Sequence, residues 1–253
     1  MLPKVLQKLR VPKYLDPEPR EYSTYPDIEG GFERSKLEDS PEYFDEFKSV
    51  TGLMWSAGSS FRDLQALSLA FIQGFLLYAP HSYAPLDVES SIIIEQLNIM
   101  NRLDMITETS QPYREYDRKG KLIKQRPYVD FFYPNDKATK LSEMLLERRE
   151  SVVIQTVCLS TGVQMQYGSN KKLPIKSRRL PASQRLEQGE WVDDYGTSIE
   201  IESDDGMYQY FLDIFGPDFQ PMIQKELTHI TVIDMCFNNE VFDELVRIGK
   251  ELL

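Results

Sequence analysis

Two stretches in the first half of the chain repeat apolar residues every three or four positions, which is the spacing of one face of a helix. The first covers residues 61–79, with Ser60 as a predicted N-cap and Asp63 at the capping-box position. The second covers residues 87–104. Both are apolar around most of their circumference, so we expect two helices that are buried from several sides.

Shorter alternating patterns follow these helices. Runs at residues 113–117 and 122–126 flank the turn sequence Arg118-Lys119-Gly120-Lys121, which predicts a β-hairpin with a basic tip. Residues 128–133 extend the returning strand, and residues 136–149 have helical spacing. Residues 49–55 precede all of these elements and are predicted to form a short strand.

The second half is rich in predicted strands, at residues 152–158, 163–167 and 228–236, and it ends in a helix from Asn239. Residues 197–214 predict a hairpin around Asp204-Asp205-Gly206, whereas residues 168–185 predict an irregular basic loop that contains two prolines. The fold class is therefore α+β, with a helical first half that carries a basic β-hairpin and an antiparallel sheet-and-helix second half.

Three regions follow from this order of elements. Residues 1–48 are an extended N-terminal arm with short helices, residues 49–150 are a helix-helix-hairpin-helix region, and residues 151–253 are an α+β C-terminal region. The last two regions can also form one continuous domain.

The arm combines four prolines between residues 11 and 40 with large apolar and aromatic side chains. Such rings need a surface that covers them, so we expect the arm to lie on its own core or on a neighbouring subunit. The predicted arm contacts are Tyr14, Tyr22, Tyr25, Ile28 and Phe32.

Charge is segregated along a chain whose net charge is −11. Residues 91–185 carry a net charge of +7 and residues 186–253 carry −13. The basic region predicts an interaction surface on the hairpin and the following loop. Its candidate residues are Arg114, Arg118, Lys119, Lys121, Lys124, Arg126, Lys171, Lys172, Lys176, Arg178 and Arg179.

The order helix, helix, strand, basic hairpin, helix resembles a winged-helix module. That resemblance implies nucleic-acid binding, with the helix at residues 88–104 in the major groove and the hairpin on phosphates. The sequence departs from the pattern in this candidate recognition helix, which is too apolar to be half exposed. Its polar residues are also a poor set for a groove lined with phosphates: Glu89, Glu95, Asn98, Asn101 and Arg102.

Catalytic chemistry has little support in the sequence. The segment from His229 to Val232 matches half of the signature of two-histidine phosphoesterases, but no second such motif surrounds His81. A lone buried histidine on a strand is the better interpretation. The two cysteines are too few for a disulfide framework or a cysteine-rich metal site. We therefore predict no catalytic, metal or cofactor residues.

The sequence favours a non-catalytic interaction or assembly protein, such as a scaffolding subunit of a virion, a viral matrix or an organellar complex. The alternative is a winged-helix-like nucleic-acid-binding protein, and an enzyme of unrecognised type is third. Expected partners are another protein or a second copy, with nucleic acid as a further possibility. No transmembrane segment or secretory signal is predicted, so we expect an intracellular protein that is not secreted and is located in the cytoplasm or within a virion or organellar assembly. Peripheral membrane contact stays open.

Overall fold

The computed structural model describes residues 51–55, 57–74, 76, 79, 88–158, 162–167, 179–200 and 219–253. Its helices are α1 (Phe61–Ile72), α2 (Ile94–Arg102), α3 (Asn135–Arg148), α4 (Gln220–Glu226) and α5 (Glu240–Glu251), and a 3-10 helix at Val88–Ile93 leads into α2. Its strands are β1 (Ile106–Gln111), β2 (Arg114–Arg118), β3 (Lys121–Gln125), β4 (Tyr128–Pro134), β5 (Val152–Cys158), β6 (Gly162–Tyr167), β7 (Arg179–Glu187), β8 (Glu190–Glu200) and β9 (Leu227–Asp234).

Helix α1 begins at the predicted capping box. The Ser60 hydroxyl accepts from the Asp63 backbone N–H at 3.2 Å, and the Asp63 carboxylate accepts from the Ser60 N–H at 3.2 Å. The strand predicted just before it is wrong, because residues 51–55 are helical. Thr51, Met54 and Trp55 are buried there, and this i, i+3, i+4 spacing places them on one helix face.

The first sheet has five strands in the order β1-β4-β9-β5-β6, and all its neighbours are antiparallel. Strand β9 lies at the centre and is buried at every position. The second sheet has four antiparallel strands in the order β2-β3-β7-β8. The α+β class is thus confirmed, and both sheets combine strands from the two regions predicted at residues 49–150 and 151–253.

Strand β7 corrects the prediction of an irregular loop over residues 168–185. From Arg179 onwards this segment pairs with β8, and residues 183–185 also pair with β3. Pro181 lies beside a register shift between Pro181 and Ser183, where a strand tolerates a residue that lacks an N–H donor. The proline therefore marks an irregularity inside a strand instead of a loop.

A bent two-stranded ribbon joins the two sheets. Strands β1 and β4 pair in the first sheet, and their continuations β2 and β3 pair in the second. Pro112 and Pro127 lie at the bend. The Gln111 amide donates to the Arg126 carbonyl at 2.9 Å, and the Gln125 amide donates to the Pro112 carbonyl at 2.9 Å. These bonds join the two strands of the ribbon next to the prolines.

Helix α2 contacts both α1 and α5 within the main core. Asn98 and Asn101 are buried on it, and their amides donate to the backbone carbonyls of Ile94 and Leu97. Neither side chain is therefore available to read bases, as the winged-helix resemblance would require.

A buried ion pair connects α3 to the end of β9. Asp234 is fully buried, and its carboxylate accepts from Arg149 Nε at 2.9 Å, from the Ser151 hydroxyl at 2.6 Å and from the Cys236 backbone N–H at 2.9 Å. These three donors lie at the end of α3, just before β5 and just after β9. Asp234 therefore holds these three segments together.

Candidate interaction surface

Two tight turns lie side by side at one end of the four-stranded sheet. Arg118 pairs with Lys121 across the first turn, and Glu187 pairs with Glu190 across the second, so each loop has two residues. Both loops have positive φ at both positions, which is the type I′ geometry: Lys119 and Gly120 in one, Gln188 and Gly189 in the other. We call residues 118–121 the basic turn and residues 187–190 the acidic turn.

The turns share one end because β3 and β7 are antiparallel neighbours. Strand β3 begins just after the basic turn, and β7 ends just before the acidic turn. Two leucines lie next to the turns, Leu122 on β3 and Leu186 on β7, and each is 37% exposed. We call the two turns and these two leucines the sheet end.

Three of the predicted surface cations make contacts within the fold: Arg114, Lys124 and Arg126. Arg114 pairs with Glu89 at 2.9 Å. The Lys124 ammonium lies 3.1 Å from Glu115 and 4.2 Å from the centroid of the Trp191 ring.

Arg126 corrects the prediction of an accessible residue. Only 3% of it is exposed, it pairs with Asp193 at 2.9 Å, and its guanidinium lies 5.0 Å from the ring centroid of Phe237. Arg126 therefore contributes to packing between the ribbon and β8 and does not belong to the surface.

The other three hairpin cations are exposed at the basic turn. Arg118, Lys119 and Lys121 have no ion-pair partner among the residues that the structure describes. Asp117 is occupied by the turn itself, because its carboxylate accepts from the Gly120 backbone N–H at 2.8 Å. The basic turn thus presents three exposed cations next to the carboxylate of Asp117.

The remaining predicted residues fall mostly outside this surface. Lys171, Lys172, Lys176 and Arg178 lie outside the described residues, as do the arm contacts Tyr14, Tyr22, Tyr25, Ile28 and Phe32. Arg179 is the first residue of β7, and its side chain is not among those described. The hairpin turn at Asp204 also lies outside the described ranges.

The acidic turn was missed because only basic residues were considered as surface candidates. Glu187 and Glu190 are both exposed, and Arg185 pairs with Glu187 at 2.7 Å. The signal that could have revealed it is Gln188-Gly189, a loop pair that suits a two-residue hairpin and is followed by Trp191 and Val192.

A second group that the sequence did not reveal lies inside the five-stranded sheet. His229 on β9 is buried, as expected for a histidine on a core strand. It is not alone, however: its Nε2 lies 3.2 Å from the Glu108 carboxyl on β1. Asp130 on β4 lies nearby and is bonded to the hydroxyls of Thr109 and Thr231.

Burial controls the protonation of this cluster. It raises the pKa of Glu108 from its ordinary 4.5 to about 8, and it lowers the pKa of His229 from 6.5 to about 4, against the opposing charge of Asp130. Burial also raises the pKa of Asp130, whereas the two threonine bonds, and His229 when it is protonated, act in the other direction. Near neutral pH, Glu108 is thus a protonated acid that donates to a neutral imidazole.

The buried cluster has the chemistry of a proton-holding pair, since one proton is shared between a carboxyl and an imidazole. No Lys or Arg pairs with Glu108 or Asp130 in the described part of the chain. Among the same residues, no three histidine, cysteine or acidic side chains are arranged to hold a metal ion.

Comparison with known proteins relates part of the chain to one described family. No helix within the described residues has both the length and the apolar character needed to cross a membrane. A search of curated proteins finds no match to this sequence. Residues 51–164, which run from the helical residues before α1 into β6, match the family described as a domain of unknown function, DUF6919.

Proposed function

We propose that this protein is a non-catalytic assembly subunit that works by contact through the sheet end. The observation that carries the proposal is the coincidence of unpaired charge and exposed apolar surface. Of the six large hydrophobic side chains that are exposed in the described part of the chain, Leu122, Leu186 and Val192 belong to the strands of this end. An exposed apolar patch with polar and charged residues at its rim is typical of a surface that binds another protein.

The way the sheet end is held supports this role. The bonds at the bend of the ribbon, from Gln111 and Gln125, tie its two strands together where they pass from the first sheet to the second. The I′ geometry of both turns also matches the twist of their strands. A contact surface that is already ordered loses little conformational entropy when it binds.

The test measures self-association by light scattering after size exclusion, over a range of protein concentrations at low and high salt. We expect a molar mass that rises with concentration at low salt and falls at high salt, because exposed charges are screened. The double variant Leu122→Ser/Leu186→Ser should lower the mass. The matched control is Ile92→Ser, which removes an exposed hydrophobic residue from the 3-10 helix and should leave the mass unchanged.

A concentration-independent monomer at both salt concentrations would overturn the assembly role. Association that responds equally to the leucine variant and to Ile92→Ser would remove the sheet end as its location.

Nucleic-acid binding is the second candidate, favoured by the three unpaired cations of the basic turn. Long cations at a hairpin tip suit contacts with phosphates, and such contacts weaken steeply with salt. Fluorescence anisotropy of a labelled DNA duplex tests it, with the triple variant Arg118→Glu/Lys119→Glu/Lys121→Glu. Anisotropy that is the same for the wild type and the triple variant would count against it.

A further inference from the structure

Four charged side chains form one row across the sheet end. Arg118 pairs with Lys121 in the first hairpin, and Glu187 pairs with Glu190 in the second. Two residues beyond the last hydrogen-bonded pair of β3 and β7, the same register places Lys121 opposite Glu187. Directly paired residues share a face of a sheet, so the four side chains point the same way. Across β2, β3, β7 and β8 the row is positive, positive, negative, negative.

This order of charges is self-complementary. A two-fold axis perpendicular to the sheet, placed at the sheet end between β3 and β7, brings the row of a second copy opposite the first row and in reverse order. Arg118 then faces Glu190 of the partner subunit, and Lys121 faces Glu187 of the partner subunit. Each contact occurs twice. A two-fold axis that lies in the plane of the sheet and runs across the strands would instead oppose like charges.

On these grounds, and resting on the assembly role proposed above, we infer that the sheet end binds a second copy of this chain across a two-fold axis perpendicular to the four-stranded sheet. Leu122 and Leu186 agree with this geometry. They lie on the face opposite the charges, since each follows or precedes a row residue by one position. The rotation keeps them on that face and brings four leucines together at the axis, which removes their apolar surface from water.

The charges of the sheet end favour a second copy over a nucleic acid. The row contains as many acidic as basic side chains, and a phosphate backbone laid across it would meet Glu187 and Glu190. Arg118 and Glu190, at the two ends of the row, have no ion-pair partner among the described residues, so each is available to a partner. Lys121 lies across from Glu187 of its own chain. Two turns and two leucines form a smaller surface than the roughly 800 Å² per partner of a standard interface, so the dimer is weak and salt-sensitive.

The test exchanges charges on the full-length chain and measures dimerisation by sedimentation velocity at low salt. In a dimer of the Arg118→Glu variant, both contacts between positions 118 and 190 bring two acidic side chains together. In a dimer of the Glu190→Arg variant, the same two contacts bring two basic side chains together. Each variant should therefore dimerise on the order of tenfold more weakly than the wild type. In an equimolar mixture of the two, both contacts of the mixed dimer pair opposite charges, so dimerisation should return. Lys140→Glu on α3 makes the same change in net charge as Arg118→Glu at an exposed position elsewhere and should leave the dimer intact.

The outcomes separate this inference from the proposed function. Recovery on mixing supports the two-fold contact. Association that neither variant changes would overturn the two-fold contact and leave the assembly role standing. A wild-type monomer under all conditions would overturn both. A wild-type monomer whose binding of a DNA duplex is lost in Arg118→Glu and strengthened in Glu190→Arg would replace the second copy with nucleic acid. Unchanged circular dichroism of each variant, which alters only an exposed turn, confirms that it is folded.

Discussion

Replacing Glu108 with glutamine should change how the stability of this protein depends on pH. In the folded state Glu108 keeps its proton up to a pKa of about 8, whereas the unfolded chain loses it near 4.5. Between these values unfolding releases a proton, so the free energy of unfolding decreases as the pH rises, by about 1.4 kcal/mol per pH unit. From pH 6 to pH 8, where the folded carboxyl itself begins to ionise, the loss sums to about 2 kcal/mol.

Glutamine keeps the shape of the side chain but carries no titrating proton. The difference in unfolding free energy between the wild type and Glu108→Gln should therefore shift by about 2 kcal/mol in favour of the variant between pH 6 and pH 8. Any constant effect of the amide on packing cancels in this comparison. Contributions from other groups, including His229, cancel as well if the substitution leaves them unperturbed.

Urea unfolding at pH 6, 7 and 8, followed by tryptophan fluorescence, measures this difference. The matched control is Glu143→Gln on the exposed face of α3, for which the difference from the wild type should not depend on pH. Parallel stability profiles for the wild type and Glu108→Gln would show that Glu108 is ionised in the folded protein. The description of a protonated acid beside a neutral imidazole would then be wrong.

Two further substitutions test the packing of the core. Asp234→Asn leaves Arg149 without its buried partner and should cost about 3 kcal/mol in urea unfolding, whereas the exposed control Glu150→Gln should change stability by less than about 0.5 kcal/mol. Gly58→Ala places a Cβ 2.4 Å from Cζ of Phe219 and should cost about 1–3 kcal/mol. Adding Phe219→Leu removes the clashing atom, so the double variant should lose less stability than the sum of the two single changes, and a strictly additive loss would contradict the steric cause.

Local signals in the sequence predicted much of the fold. The capping box at Ser60, the basic hairpin around Gly120 and the helix after Asn239 are each specified by residues within a few positions of one another. Strand β7 was predicted incorrectly because Pro181 has the same local signature in a loop and beside a register shift. Only its pairing with β3 and β8 distinguishes the two cases.

The sheet end and the buried cluster depend on contacts that no local pattern contains. Glu108 and His229 are 121 positions apart in the chain, and they meet because β1 and β9 both flank β4. The basic turn could be predicted as a hairpin tip. The position of the acidic turn beside it could not be predicted, since it depends on the pairing of β3 with β7. Arg126 shows the opposite error, because a cation within a basic cluster was expected at the surface and is buried against Phe237.

The central place of β9 has a consequence for the order in which the chain can fold during synthesis. β9 separates β4 from β5 in the finished sheet, yet it is the last of the described strands in chain order. Until β9 is synthesised, the β1–β4 pair and the β5–β6 pair each present an open edge with no neighbour between them. Residues 51–164, the part that matches a known family, therefore lack the strand that joins the β1–β4 pair to the β5–β6 pair, and we expect closure of the sheet to wait for residues 227–234.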